Sequence, residues 1–302
     1  MGPRVGRGGG VLAVTLGAPL FWLAVFFLAP LAIVWAYSFG ENDGLVRISL
    51  TGTFQNYVRA LEPLYLQIFA KSAFIAALTT LLCLVLGFPF AVAVTFAPRR
   101  LKVWLLLLVM LPFWTNLLIR TYALIAVLRE EGVVNAGLEF LWSAGSALSQ
   151  GLGFGPLDEF KPLSLLYNNT AVVIGLVYIH LPFMVLPLYA ALDRLDRSLL
   201  EASLDLGAGH ARTWLFIIVP LAAPGILSGS LLTFIPALGA YLTPDLLGGP
   251  DSQMIANIIE RQFKRANNWP FGAALSFILM YATFIAIALQ ALASGRRPKE
   301  TP

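Results

Sequence analysis

Six long apolar stretches, separated by shorter polar segments, form the main pattern of this chain. A helix crosses a bilayer with about 20 mostly apolar residues, and each of the six stretches has that length. The pattern therefore predicts an all-α integral membrane protein with a single transmembrane domain over residues 1–302. The six predicted transmembrane helices cover about residues 19–39, 72–96, 103–126, 171–190, 214–235 and 271–292.

The composition is that of a membrane protein. Hydrophobic residues make up 58% of the 302 residues and charged residues only 12%, and the mean hydropathy is +0.79. A soluble domain needs far fewer apolar residues for its core. The net charge of +4 does not indicate nucleic-acid binding, because the basic residues stand in short clusters beside the apolar stretches. Membrane lipid is the expected contact, and no nucleic-acid partner is expected.

The basic clusters predict the orientation in the membrane. Six spans place both termini on one side, and the short segments of that side hold just over half of the 20 basic residues. Positive charge concentrates in cytoplasmic segments, so both termini and the connection between the fourth and fifth spans are predicted to be cytoplasmic. The basic residues of this side are Arg4, Arg7, Arg99, Arg100, Lys102, Arg194, Arg197, Arg212, Arg296, Arg297 and Lys299.

Several residues inside the predicted spans are unusual for a transmembrane helix. Gly225 and Gly229 form a GxxxG pair, which permits close helix contact either within the chain or with another subunit. Arg120 can extend its charge outward along the span, and His180 is expected to be a packing residue or to line a pathway. Six prolines are each expected to interrupt a helix. They are Pro112, Pro182, Pro187, Pro220, Pro224 and Pro236.

The cytoplasmic segment at about 194–213 is amphipathic. Ser198 and Glu201 have the spacing of a capping box, which predicts the start of a helix, and Gly207 and Gly209 predict its end. The charges of the segment nearly cancel, whereas a helix that lies on anionic lipid is basic, so we expect contact with a protein. Spacing alone does not distinguish a docking helix from an ordinary amphipathic connector.

The same segment resembles the cytoplasmic signature of permease subunits from binding-protein-dependent ABC importers, in which a motif ending in glycine is followed after nine residues by Ile-x-Leu-Pro. Ser203 replaces the second alanine of that signature, and Val219 replaces the leucine before Pro220. The resemblance implies the type I ABC importer permease fold with a coupling helix that fits a cleft of a cytoplasmic ATPase. It assigns this role to Glu201, Ala202, Ser203, Asp205, Gly207 and Pro220.

Four further stretches resemble the B-type permease subunits of spermidine/putrescine importers. The resemblance implies an inner-membrane permease that forms half of a pore, together with a dimer of cytoplasmic ABC ATPases, a second permease subunit in a heterodimer and a periplasmic substrate-binding protein. Permeases for ferric iron, sulfate and phosphonate share part of the pattern and remain alternatives. The four stretches lie at residues 111–122, 181–184, 245–249 and 269–272.

A polyamine is bound by carboxylates, which pair with its ammonium groups, and by aromatic faces. The candidates in the outer loops and nearby spans are Trp114, Tyr241, Asp245 and Glu260. Interfacial aromatic residues and solvated loop charges give the same pattern.

The sequence contains no motif for chemistry. It has no GxxxxGK[ST] phosphate loop and no Cys/His spacing typical of a metal site. We therefore expect no enzyme activity, no catalytic residue, no metal and no cofactor on this chain, with ATP and magnesium bound by the partner ATPase. A self-sufficient secondary transporter is the alternative class. Such carriers commonly use acidic residues within their spans, and the predicted spans contain none.

Overall fold

The computed structural model describes residues 8–43, 47–152, 155 and 158–295 and is helical almost throughout. Five helical stretches are long and apolar enough to cross a membrane, and a sixth consists of two parts bent by 99° at a short break. The predicted number of six is reached when the bent pair is one span. The stretches are Thr15–Tyr37, Pro63–Phe96, Asn169–Leu192, His210–Leu238 and Trp269–Leu292, and the bent pair is Arg99–Trp114 with Leu117–Gly151.

A short antiparallel hairpin, β1 (Glu41–Asp43) with β2 (Arg47–Ser49), is an addition to the predicted all-α fold. The α-helices are α1 (Gly8–Leu23), α2 (Ala29–Tyr37), α3 (Gln55–Ala60), α4 (Pro63–Phe96), α5 (Arg99–Met110), α6 (Leu117–Leu128), α7 (Val133–Gly151), α8 (Asn169–Leu192), α9 (Arg197–Asp205), α10 (His210–Thr213), α11 (Val219–Leu238), α12 (Leu242–Leu247), α13 (Ile255–Lys264) and α14 (Trp269–Gly295). Ala24–Leu28 and Trp214–Ile218 are π-helical, and Leu111–Trp114 and Pro250–Ser252 are 3₁₀-helical.

The third predicted span, over residues 103–126, is not one helix. α5 ends just before a 3₁₀ turn that contains Pro112, and α6 starts at Leu117. Thr115 and Asn116, between the two helices, have extended backbone. Asn116 accepts a hydrogen bond from the N–H of the second residue of α6 at 2.8 Å. Proline ends the first helix and asparagine caps the next. The local sequence therefore determines the position of the break.

The other prolines within helices do not interrupt them. Pro182 and Pro187 lie inside α8, and Pro224 and Pro236 lie inside α11. The expectation of an interruption is wrong at these four positions, because each proline removes one backbone bond and the remaining bonds and packing keep the helix continuous. Pro220 lies in the first turn of α11, directly after the π-helical turn, where one extra residue per turn accommodates the missing N–H.

The helices extend further than hydropathy predicts, because backbone hydrogen bonding continues into polar residues. α4, for example, starts at Pro63 and not near residue 72. The terminal basic residues that support the predicted orientation lie outside the described residues, and the orientation stays a prediction. They are Arg4, Arg7, Arg296, Arg297 and Lys299.

The described residues form two compact units, one of residues up to 66 with 258–282, and one of residues 67–257 with those from 283 onward. The second unit is built around α8, against which α4 and α11 pack. A Cβ added to Gly225 would lie 2.7 Å from the Pro187 carbonyl oxygen, and one added to Gly229 would lie 2.8 Å from the Met184 sulfur. The GxxxG pair therefore makes contact within the chain.

Candidate coupling segment and transport pathway

The predicted coupling segment forms the short helix α9. Its N-cap is Asp196, whose side chain accepts a hydrogen bond from the Ser198 N–H at 3.0 Å. The prediction of Ser198 as N-cap is wrong, because the Asp196 carboxylate stands one residue before the helix and meets its exposed N–H groups first. This hydrogen bond from the backbone lowers the pKa of Asp196 from its ordinary value.

α9 ends at a glycine in the left-handed region. Gly207 has φ of +80°, and its N–H donates to the Leu204 carbonyl at 2.9 Å while the Ala208 N–H donates to the Ser203 carbonyl at 3.1 Å. These two bonds form a Schellman motif, which satisfies the last carbonyls of the helix. A Cβ on Gly207 would meet nothing within 4 Å. The backbone angle, and not the available space, therefore requires glycine.

Ser203 connects α9 to the base of the next membrane helix. Its hydroxyl lies 2.8 Å from the Thr213 hydroxyl, and both side chains are buried. Thr213 is the last residue of α10, which leads into the fifth span. The residue that departs from the family signature thus makes a hydrogen bond that alanine lacks. Sequence reasoning missed Thr213, because the ten-residue spacing follows from the turn and not from a motif.

The remaining coupling candidates lie on the outer surface of the segment. Glu201, Ala202 and Asp205 are exposed, and Leu206 is 88% exposed. A cavity of about 360 Å³ lies between α9 and the start of the fifth span. It is lined by Phe96, Leu200, Glu201, Leu204, His210, Thr213, Trp214 and Ile218. Pro220 is exposed in α11, and its place in the coupling set rests on the signature alone.

An ion pair holds the start of the segment to α5. The Lys102 ammonium lies 2.6 Å from the Asp193 carboxylate, and Asp193 is the C-cap residue of α8. The two residues are 91 positions apart, so no sequence pattern predicts the pair. It joins the N-terminal part of α5 to the end of the helix that leads into α9.

The structure brings two of the four pathway candidates together. Tyr241 and Asp245 lie one turn apart, and the Asp245 N–H donates to the Tyr241 carbonyl at 3.0 Å. Both side chains are exposed. Trp114 lies elsewhere in the same unit, in the 3₁₀ turn at the break of the third span, and is 75% exposed. Discontinuous transmembrane helices form the substrate sites of many transporters, and Trp114 lies at such a break.

Glu260 differs from its expected setting. It was expected in a loop, but it lies on α13, in the unit that contains residues 258–282. Its carboxylate already pairs with Lys264 one turn later, at 3.1 Å. The helical spacing of four residues brings the two charges together. The negative charge of Glu260 is therefore already compensated by Lys264. A carboxylate that binds a substrate ammonium group would instead lack such a partner.

Buried polar side chains hold the segment that carries Tyr241. The Asn257 side chain donates to the Tyr241 carbonyl at 2.8 Å and accepts from the Met254 N–H at 3.0 Å. The Ser72 hydroxyl on α4 accepts from the Ile255 N–H at 2.8 Å. Backbone groups outside helices need such partners at membrane depth. Sequence reasoning missed Ser72 and Asn257, since a single polar residue does not indicate what it bonds.

The two ionisable residues in the spans have different roles. The buried His180 side chain places Nδ1 2.8 Å from the Leu176 carbonyl oxygen one turn earlier, as expected of a packing residue. The Nε and Nη1 atoms of Arg120 are buried and have no hydrogen-bond partner among the described residues. The sequence predicts that Arg120 can extend its charge outward. In the structure, two nitrogens of its guanidinium group are buried instead.

The chain matches the family model described as "Binding-protein-dependent transport system inner membrane component" over residues 84–297. The chain belongs to this family. It is a multi-pass permease subunit of the inner membrane, and its role is in transport.

Relatives and solved structures agree with this assignment. The permease is 42% identical over 258 residues to the spermidine/putrescine transport system permease protein PotB of Escherichia coli K12, covering 85% of this chain and 88% of that protein. It is 32% identical over 288 residues to the inner membrane ABC transporter permease protein YdcU of the same organism, covering 92% and 88%. A bacterial alginate ABC transporter, solved with its alginate-bound periplasmic protein, has a chain with the same fold, at a TM-score of 0.73 and 14% identity, covering 96% of both chains.

Proposed function

We propose that this permease imports polyamines of the spermidine and putrescine class as one half of the pore of an ATP-driven importer. The observation that carries the proposal is the 42% identity, over 85% of the chain, to a permease that bears that name. The exposed Asp245 carboxylate beside Tyr241, and the exposed Trp114 ring, are chemically suited to an ammonium group with a methylene chain.

Energy comes from a separate ATPase that docks on α9. The exposed carboxylate of Glu201 and the exposed side chain of Leu206 form the contact surface, and the Gly207 turn together with the Ser203–Thr213 bond passes movement to the fifth span. Two such ATPases bind ATP and magnesium, so this chain needs no cofactor of its own. Both termini and α9 face the cytoplasm in this arrangement.

Two further partners complete the transporter. A second permease, different from this chain, supplies the other half of the pore, and a periplasmic binding protein delivers the substrate. Because the binding protein captures the ligand first, selectivity depends on both proteins. Contacts in the pore then affect the rate of transfer more than the concentration at which uptake is half-maximal.

Uptake by the complete transporter in proteoliposomes tests the proposal. With the binding protein outside and ATP inside, labelled spermidine or putrescine should accumulate, and unlabelled polyamine should compete. Sulfate, phosphonate and ferric iron serve as competitor controls. Accumulation of one of these in place of polyamine would overturn the substrate class and leave the permease role intact. Uptake by this chain alone, driven by an ion gradient without ATP, would instead support a secondary transporter.

A further inference from the structure

Three carboxylates lie between the fifth and sixth spans, and they differ in whether a cation already lies beside them. Glu260 pairs with Lys264. Lys71 donates a hydrogen bond to the Asp251 carbonyl and interacts electrostatically with the Asp251 carboxylate. The exposed Asp245 side chain has no ion pair with any described residue. Asp245 is therefore the carboxylate of this segment that is open to a substrate cation.

The short helix that bears Asp245, α12, is held against α8 by its other side. Thr243 and Leu247 of α12 are buried. A Cβ on Gly175 of α8 would lie 2.8 Å from the Thr243 methyl carbon and would also meet the Leu247 side chain. The Leu247 carbonyl accepts a hydrogen bond from the Tyr167 N–H at 2.9 Å. α12 therefore has a fixed side, and Asp245 lies on its exposed side.

The Tyr241 carbonyl connects α12 to a buried asparagine. It accepts two hydrogen bonds, one from the Asp245 N–H at 3.0 Å and one from the Asn257 side-chain amide at 2.8 Å. Asn257 is 3% exposed, and its side-chain oxygen accepts from the Met254 N–H at 3.0 Å. Asn257 is therefore linked to the backbone of Asp245 through a single carbonyl group.

The Asn257 end of this link is fixed to α4. The Ile255 N–H donates to the Ser72 hydroxyl at 2.8 Å, and this hydroxyl donates to the Ile68 carbonyl at 2.7 Å. Ser72 and Ile255 are completely buried. A buried polar group that loses its partner is costly, so these bonds resist displacement. A continuous path of hydrogen bonds thus runs from α4 past Asn257 to Asp245.

We propose that Asn257 is a positioning residue for polyamine transfer. It holds the Tyr241 carbonyl, and through it the Asp245 carboxylate, at the place where an ammonium group of the substrate is received. A hydrogen bond between an ammonium group and a carboxylate has a length of about 2.7–2.9 Å, so a small shift of the carboxylate weakens it. This role rests on the proposed function, since a cationic substrate is what requires a carboxylate there.

Substitution of Asn257 in two backgrounds tests this role. The complete transporter is placed in proteoliposomes, with saturating spermidine-loaded binding protein outside and ATP inside. Asn257→Ala and Asp245→Asn should each lower the maximal rate of spermidine uptake several-fold. In the Asp245→Asn background, Asn257→Ala should have little further effect, because the group that Asn257 positions has already lost its charge.

Asn135→Ala is the matched control. Asn135 is 2% exposed, and it holds a different loop through two bonds to the Leu163 backbone, at 3.0 and 2.9 Å. Any loss of uptake in Asn135→Ala should have the same factor with and without the Asp245 charge. Immunoblots of the proteoliposomes and thermal unfolding of each variant separate a loss of protein from a loss of rate.

The outcomes separate this role from the proposed function. Equal fold losses from Asn257→Ala in both backgrounds, with polyamine uptake by the unsubstituted transporter, overturn the role of Asn257 alone. Unchanged uptake in Asp245→Asn overturns it as well. Uptake of another solute and no polyamine by the unsubstituted transporter defeats the proposed function itself. If Asp245→Asn leaves no measurable uptake, Asp245→Glu, which keeps the charge but displaces it, replaces it as the background.

Ser72→Ala tests the same path of hydrogen bonds with a smaller change, in case Asn257→Ala does not assemble. It removes the acceptor of the Ile255 N–H and leaves the Asn257 side chain in place. The maximal rate should fall by a smaller factor than in Asn257→Ala, and the loss should again disappear in the Asp245→Asn background. A loss that persists there contradicts the proposal.

Discussion

At the scale of single residues, the predicted coupling segment contains two small residues that do different things. Gly207 supplies a backbone angle, +80° in φ, that other residues adopt only at a cost. Ser203 supplies a hydroxyl that bonds Thr213 inside the protein. Both residues lie within the family signature. The signature indicates the role of Gly207 but not the hydrogen bond of Ser203.

Replacement of Gly207 by alanine should weaken the turn after α9. Alanine at positive φ costs about 1 kcal/mol, so we expect reduced transport and less ATPase stimulation by substrate-loaded binding protein, with Gly207→Pro more severe. Gly209→Ala is the matched control, because Gly209 has φ of −70° and its added Cβ meets no neighbour. Membrane levels of each variant are measured by immunoblot. Normal coupling in Gly207→Pro would disprove the role of this turn.

Replacement of Ser203 by alanine should leave the buried Thr213 hydroxyl with only a weak partner, the Gly209 carbonyl at 3.5 Å. The expected cost is about 1–3 kcal/mol, and the double variant Ser203→Ala with Thr213→Val should lose less than the sum of the single losses. Thermal unfolding of the purified transporter in detergent measures the three variants. Strictly additive losses would show that the two hydroxyls do not interact.

At the scale of helices, the break in the third span is the clearest departure from a simple bundle. Pro112 and Asn116 end one helix and start the next, and between them the turn exposes Trp114. This break arises where short local signals interrupt a long apolar run.

Trp114→Ala should lower the maximal rate of polyamine uptake several-fold, because a cation–π contact contributes about 0.5–2 kcal/mol. Half-maximal concentration should change little, since the binding protein captures the substrate. Trp104→Ala is the control, as Trp104 is an equally large ring on α5 that is 70% exposed. Initial uptake rates over a range of spermidine concentrations measure both quantities. Equal effects of the two substitutions would place Trp114 outside the pathway.

At the scale of the whole molecule, α8 is the central helix of one unit, and α4, α5 and α11 pack around it. Gly225 and Gly229 of α11 and Gly87 of α4 approach it closely. Lys102 ties α5 to the C-terminal end of α8 through Asp193. These contacts hold α4, α5 and α11 close against α8.

The predicted orientation is also tested at this scale. Gly209→Cys and Gln150→Cys lie on opposite sides of the membrane if α9 is cytoplasmic. An impermeant maleimide should label position 209 only in inside-out vesicles and position 150 only in right-side-out vesicles. The single native cysteine, Cys83, is buried and should stay unlabelled in both. Labelling of both positions from the same side would contradict a membrane crossing by α8, the span that lies between them.

Local sequence by itself determined the membrane class, the approximate spans and the presence of a short helix that ends at Gly207, because hydropathy and turn chemistry act over neighbouring residues. Tertiary structure alone decided that Ser203 meets Thr213, that Lys102 meets Asp193 and that Asn257 holds the Tyr241 carbonyl. It also decided that the GxxxG pair packs on α8. These contacts depend on which distant helices become neighbours. The sequence pattern of one segment does not show which face of another segment packs against it.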